Sequence, residues 1–575
     1  MREILKEFGQ LSSASHSSRN YRLFKGELFP EILFGQSDAD TEWGEDKDLS
    51  SKLFVHTESY EAFIQRNNLF IFGRRGTGKT ALIKMLDYEI NKGLLNTYNY
   101  SKIITQEDTF YRLTLILRTF SQTFDYENAE FEFNQSRAEI INIVKEKLVW
   151  VIYATAMIAV IGKHPERAAT NKYINTIREY LVNQEFIAAE DNYLITPPIV
   201  HAVRTFSNTL EAIGNDKSKV SLALLKVVEA LESTEYKKAL ASLKAFLTER
   251  KEFCVILIDS QELYEFDDKL FEYATSGLMD AVLKVFNHSH NYRVLAKAAF
   301  PSEIVPHLKP ANQGKINDKR HFIFWKYGDI LKLISKRYCQ LLNEIGLHVE
   351  CEELDKSNAE KFIYKYIPKE TESYSKIKFD SIAYIINHTQ KKPREVIQLF
   401  NVILTLAKQN GIKFTELTSE CIREGTNARI EDLSSGVMDM YKKIYPKAEE
   451  IIKKTFNNSE NIMTYGAMHR KLNDAKSVLA NSSMNERYTV ERLFSETGVI
   501  GILENVSKIS DSNKRICEAN FEYQIKGVLT MRGDNLLVIH PMFYQELNVQ
   551  IYSDVLVYPK PTEEERNMEK NWLAI

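Results

Sequence analysis

The segment that most constrains this chain is the run LFIFGRRGTGKT at residues 69–80. It predicts a buried strand, a glycine-rich turn and the start of an amphipathic helix, the context that makes G-x-x-x-x-G-K-T a phosphate-binding loop, or P-loop. Glycines let successive backbone N–H groups turn inward around an anion, and the helix N-terminus adds partial positive charge. A surface turn rich in glycine and lysine is the competing interpretation, and the flanking strand and helix disfavour it. We therefore predict a nucleotide-binding site.

The loop residues divide between the phosphates and a metal ion. Lys79 is expected to reach the β and γ phosphates, and Thr80 to place its hydroxyl on Mg²⁺. Guanine specificity has no support, because no N-K-x-D segment follows the core. The predicted ligands are therefore ATP and Mg²⁺. The residues expected to contact the nucleotide are Gly73, Arg74, Arg75, Gly76, Thr77, Gly78, Lys79, Thr80 and Ala81.

A second segment supplies an acid for the metal. Residues 253–259 form a continuous apolar run that ends at Asp259, as a strand buried on both faces of a parallel sheet should. At the carboxyl edge of the sheet Asp259 is expected beside the P-loop, where its carboxylate can hold a water of the Mg²⁺ shell. Alone, such a run is more often an ordinary strand before a turn. The preceding P-loop favours the interpretation as a Walker B strand.

The group that activates the attacking water is less clearly marked in the sequence than the P-loop and the Walker B acid. In many ATPases this group directly follows the Walker B acid, a place that Ser260 occupies here. Glu262 is the candidate base, and if it does not reach the γ-phosphate the protein is a slow hydrolase or a nucleotide-gated switch. A further strand at residues 292–300 is predicted between the P-loop and Walker B strands. It makes Lys297 and Ser302 candidate sensors, although Lys297 reads equally well as a surface lysine.

Composition narrows the class of protein. At 575 residues the chain is too long for a single core. Lys and Arg number 75 against 78 Asp and Glu, so the global basic field of a dedicated nucleic-acid binder is missing. Five cysteines without a C-x-x-C pair suit a reducing cytosol and offer no zinc site. The most apolar run, residues 148–161, is too short to span a bilayer, and the N-terminal residues are acidic where a signal peptide is basic. We expect a cytoplasmic protein without a membrane partner.

Between the predicted second strand at residues 102–104 and the Walker B strand, the apolar spacing predicts helices over residues 109–250. Insertions of this size usually carry partner or substrate contacts, so we expect a protein partner there. A purely architectural role is equally open.

The order of these segments, together with three segments after residue 320, resembles the AAA+ superfamily, in particular its signal-transduction (STAND) and origin-recognition ATPases. Residues 322–337 are similar to the passage from the ATPase core into the lid, and residues 411–415 to the link into the last lid helix. Residues 391–399 look like the sensor 2 helix, which implies that Arg394 points to the γ-phosphate. Pro393 suits the first turn of a helix, and Arg394 beside it can offer two donors to a phosphate. A solvated arginine at a helix start is the alternative.

The order of helices and strands predicted from about residue 433 is typical of a winged helix. Helices are predicted at residues 448–456, 465–472 and 490–496, strands at 498–503 and 516–523, and a wing at 507–515. Such a domain can bind DNA, or it can pack on the lid and hold an inactive state. His540 lacks a catalytic partner pattern and is expected to be structural. The candidate DNA contacts are Arg487, Arg492, Lys508, Lys514 and Arg515, interrupted by Glu486, Glu491, Glu496 and Glu504.

The predicted fold class is α/β, with a parallel-sheet P-loop NTPase core, a large helical insertion, a helical lid and a C-terminal winged-helix domain. The predicted boundaries are 1–50 for a flexible arm, 51–108 and 251–320 for the core, 109–250 for the insertion, 321–432 for the lid, 433–550 for the winged helix and 551–575 for a tail.

The predicted function is an ATP-binding molecular switch with slow Mg²⁺-dependent hydrolysis. Lys79, Asp259, Glu262 and Arg394 are its catalytic candidates, and homo-oligomeric assembly is its readout. The resemblance covers residues 53–104 and 253–543 and extends to bacterial P-loop ATPases of which some are associated with phage defence, so it implies that context. Two alternatives stay open, a DNA-binding loader or initiator that uses the winged helix and a scaffold that binds nucleotide without hydrolysing it.

Overall fold

The computed structural model falls into two compact units. The P-loop unit is His56–Ile323, and the C-terminal unit is Met1–Val55 together with Phe324–Ile575. The residues that the structure describes are 5–6, 8–13, 31–105, 130–164, 171–190, 192–213, 233–259, 269–307, 312–350, 356–373, 376–442, 444–445, 447–480, 487–509, 513–525 and 528–561.

The N-terminal segment, expected to be a flexible arm, contains regular structure in its described part. It forms strand β1 (Leu11–Ser13) and helices α1 (Ala39–Glu45) and α2 (Lys47–Leu53). The Asp38 and Asp46 carboxylates cap the two helices by accepting backbone N–H bonds from Thr41 and Leu49.

The segment is held by contacts distant in sequence. Phe34 is buried and stacked on Phe400, with ring centroids 4.5 Å apart. Arg337 donates two hydrogen bonds to the Glu42 carboxylate, at 2.7 and 2.9 Å. These contacts explain why residues 31–53 belong to the C-terminal unit.

A five-stranded parallel sheet forms the centre of the P-loop unit. Its spatial order is β3-β4-β5-β2-β6, so the P-loop strand β2 lies between β5 and β6. Strand β5 lies between β2 and the Walker B strand β4, as predicted. All six residues of β4 are buried, which explains its continuous apolar sequence. The strands are β2 (Phe70–Gly73), β3 (Tyr100–Ile104), β4 (Cys254–Asp259), β5 (Val294–Pro301) and β6 (Arg320–Phe322).

Helices pack on this sheet. Between β3 and β4 the described residues are mainly helical, and the long helix α5 (Glu130–Lys163) packs directly against β3, β4 and α9 (Lys269–Asn287). Its buried face, which includes Trp150 and Met157, shares one apolar core with Ile256 of β4. The insertion is thus continuous with the core of the unit. The helices are α3 (Glu58–Ile64), α4 (Lys79–Asn91), α5 (Glu130–Lys163), α6 (Lys172–Asn183), α7 (Pro198–Ile213), α8 (Thr234–Arg250), α9 (Lys269–Asn287), α10 (Ser289–Tyr292) and α11 (Gln313–Asn317).

The first half of the C-terminal unit is a helical lid with one small hairpin. The helices Pro393–Gln409 and Ser419–Tyr441 cross closely at Gly425, where an added Cβ would lie 2.7 Å from the Ile403 Cα atom. The lid elements are α12 (Tyr327–Glu344), α13 (Lys356–Ile363), β7 (Glu370–Glu372), β8 (Lys378–Asp380), α14 (Ser381–Asn387), α15 (Pro393–Gln409) and α16 (Ser419–Tyr441).

The second half combines helices with a five-stranded mixed sheet of order β14-β11-β10-β12-β9. Strands β10 and β11 pair as the predicted hairpin, and β1 pairs with β13. The α/β fold with a parallel P-loop sheet, a helical lid and a C-terminal mixed-sheet region is therefore confirmed. The elements are α17 (Ala448–Phe456), β9 (Ile462–Thr464), α18 (Tyr465–Lys471), α19 (Lys476–Ala480), α20 (Arg487–Glu496), β10 (Ile500–Lys508), β11 (Arg515–Asn520), β12 (Leu536–Ile539), β13 (Gln550–Tyr552) and β14 (Val555–Pro559).

His540, predicted to be structural, lies in the interior of this region. Its Nδ1 atom accepts the Met542 N–H at 3.1 Å, and its Nε2 atom lies 2.9 Å from the Tyr523 hydroxyl. Burial lowers the pKa of His540 to about 3, so the ring stays neutral at ordinary pH.

Among the described helices none combines the length and the apolar character that crossing a membrane requires.

Two of the arginines considered for DNA contact are engaged inside the unit. Arg492 on α20 is 7% exposed and lies between two carboxylates. It donates to Glu522 at 2.7 and 2.9 Å and to Glu496 at 3.1 Å. Arg515 is also buried and stacks over the Phe8 ring at 5.3 Å. These side chains are committed to internal contacts.

Replacing Arg492 tests whether this cluster is structural. Arg492→Ala leaves the buried Glu496 carboxylate and the partly buried Glu522 carboxylate without their cation, which should lower the free energy of unfolding by about 3–5 kcal/mol. The exposed Lys508 provides the control, and Lys508→Ala should change it by less than about 0.5 kcal/mol. Urea unfolding of the two variants measures the difference, and equal stability would contradict a structural role.

Candidate nucleotide site

The P-loop has the backbone geometry of an anion-binding turn. It connects β2 to α4, and Gly76 and Gly78 adopt positive φ angles of 85° and 90°. Gly78 is the N-terminal boundary residue of α4, and no side chain caps that helix end within the described part of the unit. The first N–H groups of the helix are therefore directed toward the loop. At Gly73 an added Cβ atom would clash with Thr77 Oγ1, so a larger residue would require that side chain to move.

The Lys79 side chain folds back along the loop. Its Nζ atom donates to the Gly73 carbonyl at 2.9 Å and to the Arg74 carbonyl at 3.2 Å. The residue is 4% exposed, so the charge lies inside the turn and not in bulk solvent. Thr77 adds a hydrogen bond from its hydroxyl to the Arg74 carbonyl at 2.7 Å. The turn thus concentrates a cation and backbone N–H groups in one small volume.

Thr80 and Asp259 meet at the edge of the sheet. The Thr80 hydroxyl donates to Asp259 Oδ2 at 2.8 Å, although 179 residues separate the two positions. Asp259 ends β4 and is 3% exposed. A hydroxyl and a carboxylate at this spacing are the hard oxygen donors that Mg²⁺ takes in phosphate sites. The two residues predicted for the metal therefore form a donor set that fits it.

A further acid that the sequence prediction missed faces the same loop. Glu303 follows β5 in the short 3-10 helix Ser302–His307. Its Oε1 atom accepts the Arg75 backbone N–H at 3.0 Å, and the residue is 7% exposed. One signal could have found it, because the carboxyl ends of parallel strands meet at one edge of a sheet and Glu303 follows the strand beside β2. Ser302, a predicted sensor, precedes it at the start of the turn.

Lys297 lies elsewhere. It is wholly buried in the middle of β5, and its ammonium group donates to the carbonyls of Gln65 and Asn68 at 2.7 and 2.6 Å. Both acceptors lie in the connection from α3 into β2, whereas the P-loop leaves the other end of that strand. The structure therefore makes Lys297 neither a surface lysine nor a neighbour of the P-loop. Its role is to tie α3 to the sheet.

The remaining predicted site residues lie in different parts of the chain. Arg75, Gly76 and Ala81 lie in the loop or the first turn of α4, as their sequence positions require. Glu262 lies outside the described residues. Arg394 is in the first turn of α15 in the C-terminal unit, where it donates to the Ser37 carbonyl at 3.1 Å and lies 3.5 Å from Asp38 Oδ1.

The sheet order, the loop geometry and the Thr80–Asp259 pair define the core as a P-loop NTPase fold. A family model described as ORC-CDC6-like matches residues 40–111, a segment that includes the P-loop. The comparison with curated proteins gave no match.

Three solved structures show a weak likeness. The ORC2 protein of Aeropyrum pernix, in complexes with ADPNP and ADP, is 12% identical with a TM-score of 0.33, covering 94% of this chain and 97% of that one. Drosophila ORC bound to DNA is 8% identical with a TM-score of 0.29, covering 92% and 98%. Cdc6p of Pyrobaculum aerophilum is 11% identical with a TM-score of 0.19, covering 57% and 76%.

The buried Lys297 should make stability depend on pH. Burial lowers its pKa to about 7 in the folded protein, against about 10.4 in an unfolded chain. Between these values the unfolded chain binds the additional proton, so the free energy of unfolding should rise with pH, by at most about 1.4 kcal/mol per unit.

Urea unfolding between pH 7 and 9 measures this slope. The free energy of unfolding of wild type minus that of Lys297→Met should increase from pH 7 to pH 9. Methionine keeps the side-chain volume but has no charge to titrate. The exposed Lys238→Met is the control and should follow wild type. Identical slopes for all three proteins would contradict the assignment.

Proposed function

We propose that this protein is an ATP-binding molecular switch of the AAA+ type with slow Mg²⁺-dependent ATP hydrolysis. The observation that carries the proposal is the hydrogen bond from Thr80 to Asp259 beside a P-loop whose lysine lies inside the turn. A phosphate anion is the ligand that best matches an ammonium group and inward backbone N–H groups together.

Each residue has a definite part in this proposal. Lys79 exchanges its bonds to the Gly73 and Arg74 carbonyls for bonds to the β and γ phosphates. Thr80 and Asp259 would hold Mg²⁺, which when bound neutralises charge on the phosphate oxygens. Asp259 is nearly unexposed, and electrostatic attraction to a cation is stronger there than at the surface.

Arg394 is the proposed sensor of the γ-phosphate. Its present contacts are weak, because Asp38 is half exposed and the charged atoms are 3.5 Å apart. A phosphate offers stronger, charge-assisted hydrogen bonds, so this arginine can exchange one partner for the other. A ligand shifts a conformational equilibrium only through such differential contacts. We propose that the exchange changes lid position and assembly, with phage defence as the context that the resemblance implies.

A DNA-binding loader or initiator is the second candidate, favoured by the match of residues 40–111 to the ORC-CDC6-like family. The burial of Arg492 and Arg515 argues against those two side chains as phosphate contacts. A steep loss of DNA binding with added salt would support this candidate. The helical insertion remains a proposed site for a protein partner. The third candidate, a scaffold that binds ATP without hydrolysing it, is excluded if bound ATP releases phosphate in a single turnover.

Lys79→Ala tests the nucleotide site. Removing charge-assisted bonds worth about 3 kcal/mol should weaken ATP binding about 100-fold, which isothermal titration calorimetry measures. Lys92→Ala, at the other end of α4, should bind as wild type. Light scattering with ADP, ATP and a slowly hydrolysed analogue should show a nucleotide-dependent assembly state in wild type and its loss in Lys79→Ala. If the assembly state and the protease sensitivity of wild type are the same with every nucleotide, the switch is disproved.

Arg394→Ala separates binding from response. The variant should keep its affinity for ATP, because the P-loop is intact, but should lose the change in light scattering. Arg423→Ala removes a partly exposed arginine of α16 and is the matched control, which should respond as wild type. An unaltered response of Arg394→Ala would remove the sensor assignment.

A further inference from the structure

Glu303 carries a buried carboxylate that is only half satisfied. Its Oε1 atom accepts the Arg75 N–H at 3.0 Å, whereas its Oε2 atom is buried without a hydrogen-bond partner among the described residues. An ionised carboxylate in this state is costly, because it has lost water without gaining enough hydrogen bonds. Unsatisfied buried polar atoms are rare in folded proteins, and a functional role is one of their recognised explanations.

The carboxylate lies at the part of the loop where the γ-phosphate is expected. Arg75 directly follows Gly73 and Arg74, whose carbonyls hold the Lys79 ammonium group. Because Lys79 is the group that reaches the β and γ phosphates, its position marks their side of the loop. Glu303 therefore lies on the side of the loop where the proposed function places the γ-phosphate.

The sheet places Glu303 next to the metal site as well. Strand β5 lies between the P-loop strand and the Walker B strand, and its Ala299 is in register with Asp259. Glu303 follows that strand end by a few residues, so the two acids occupy neighbouring positions along one edge. The residue after Asp259 is Ser260, whose neutral hydroxyl is a poor base at neutral pH.

We propose that Glu303 is the general base of ATP hydrolysis, an inference that rests on the proposed function. Glu303 Oε2 accepts a proton from a water molecule as an O–H bond of that water breaks. The water oxygen forms a bond to the γ-phosphorus while the bond from that phosphorus to the bridging oxygen breaks, and its electron pair stays on ADP. The proton then passes from Glu303 to the released phosphate. Glu303 takes this part in place of Glu262.

Glu303→Gln separates a base from a mere anchor. The amide oxygen of glutamine can still accept the Arg75 N–H, so the loop keeps its shape, but the side chain no longer takes a proton. With the full chain in excess over radiolabelled ATP and Mg²⁺, we expect unchanged ATP affinity and a single-turnover rate at least about 100-fold below wild type. Glu235→Gln, at an exposed position in the first turn of α8, is the matched control and should hydrolyse as wild type. Glu262→Gln tests the other candidate acid.

Each other outcome overturns a defined claim. A Glu303→Gln variant that keeps its rate, or whose weaker ATP binding accounts for the whole loss, shows that the carboxylate only shapes the loop. Loss of hydrolysis in Glu262→Gln assigns the base there. Wild type that binds ATP without releasing phosphate overturns the base but leaves the nucleotide switch standing, whereas wild type that fails to bind ATP overturns the proposed function itself.

Discussion

The hydrogen bond between Thr80 and Asp259 is the contact on which the site depends. It joins the first turn of α4 to the end of β4. The contact therefore requires β2, the strand that leads into α4, and β4 to lie in one parallel sheet. The chain between the two residues includes the long helix α5, which packs on β3 and β4. The sheet that positions the two proposed metal donors is therefore stabilised by the insertion that separates them in sequence.

Three candidate functional groups lie at the same edge of the sheet. Strand β2 delivers the anion-binding loop, β4 delivers Asp259, and the turn after β5 delivers Glu303. None of these residues needs a specialised local conformation apart from the glycine turn. Parallel strands place their carboxyl ends together, so the proposed site is assembled by sheet topology and not by proximity along the chain.

Local patterns in the sequence predicted much of this fold. The strand, loop and helix around Lys79 and the apolar strand before Asp259 were recognisable, because their signals lie within a few residues. The helix at residues 448–456 was placed to the residue, since its apolar spacing and its boundaries are local. The β10–β11 hairpin followed from two strand-like runs and the polar connection between them.

Features set by distant partners could not be predicted in this way. Lys297 read as a sensor or a surface lysine, because only the folded structure brings the carbonyls of Gln65 and Asn68 to it. Arg492 read as a DNA contact, because Glu522 joins it from outside its own helix. The helices after residue 38 were missed since their anchor, the Arg337–Glu42 pair, spans 295 residues.

The central claim is that a triphosphate and Mg²⁺ bind at Lys79, Thr80 and Asp259. The most direct measurement is a crystal structure of the protein grown with Mg²⁺ and a non-hydrolysable ATP analogue. The account predicts phosphate density within the P-loop, with the metal about 2.0–2.1 Å from Thr80 Oγ1 and the Lys79 ammonium on the phosphates. An empty loop, with Lys79 still on the Gly73 and Arg74 carbonyls, would contradict it.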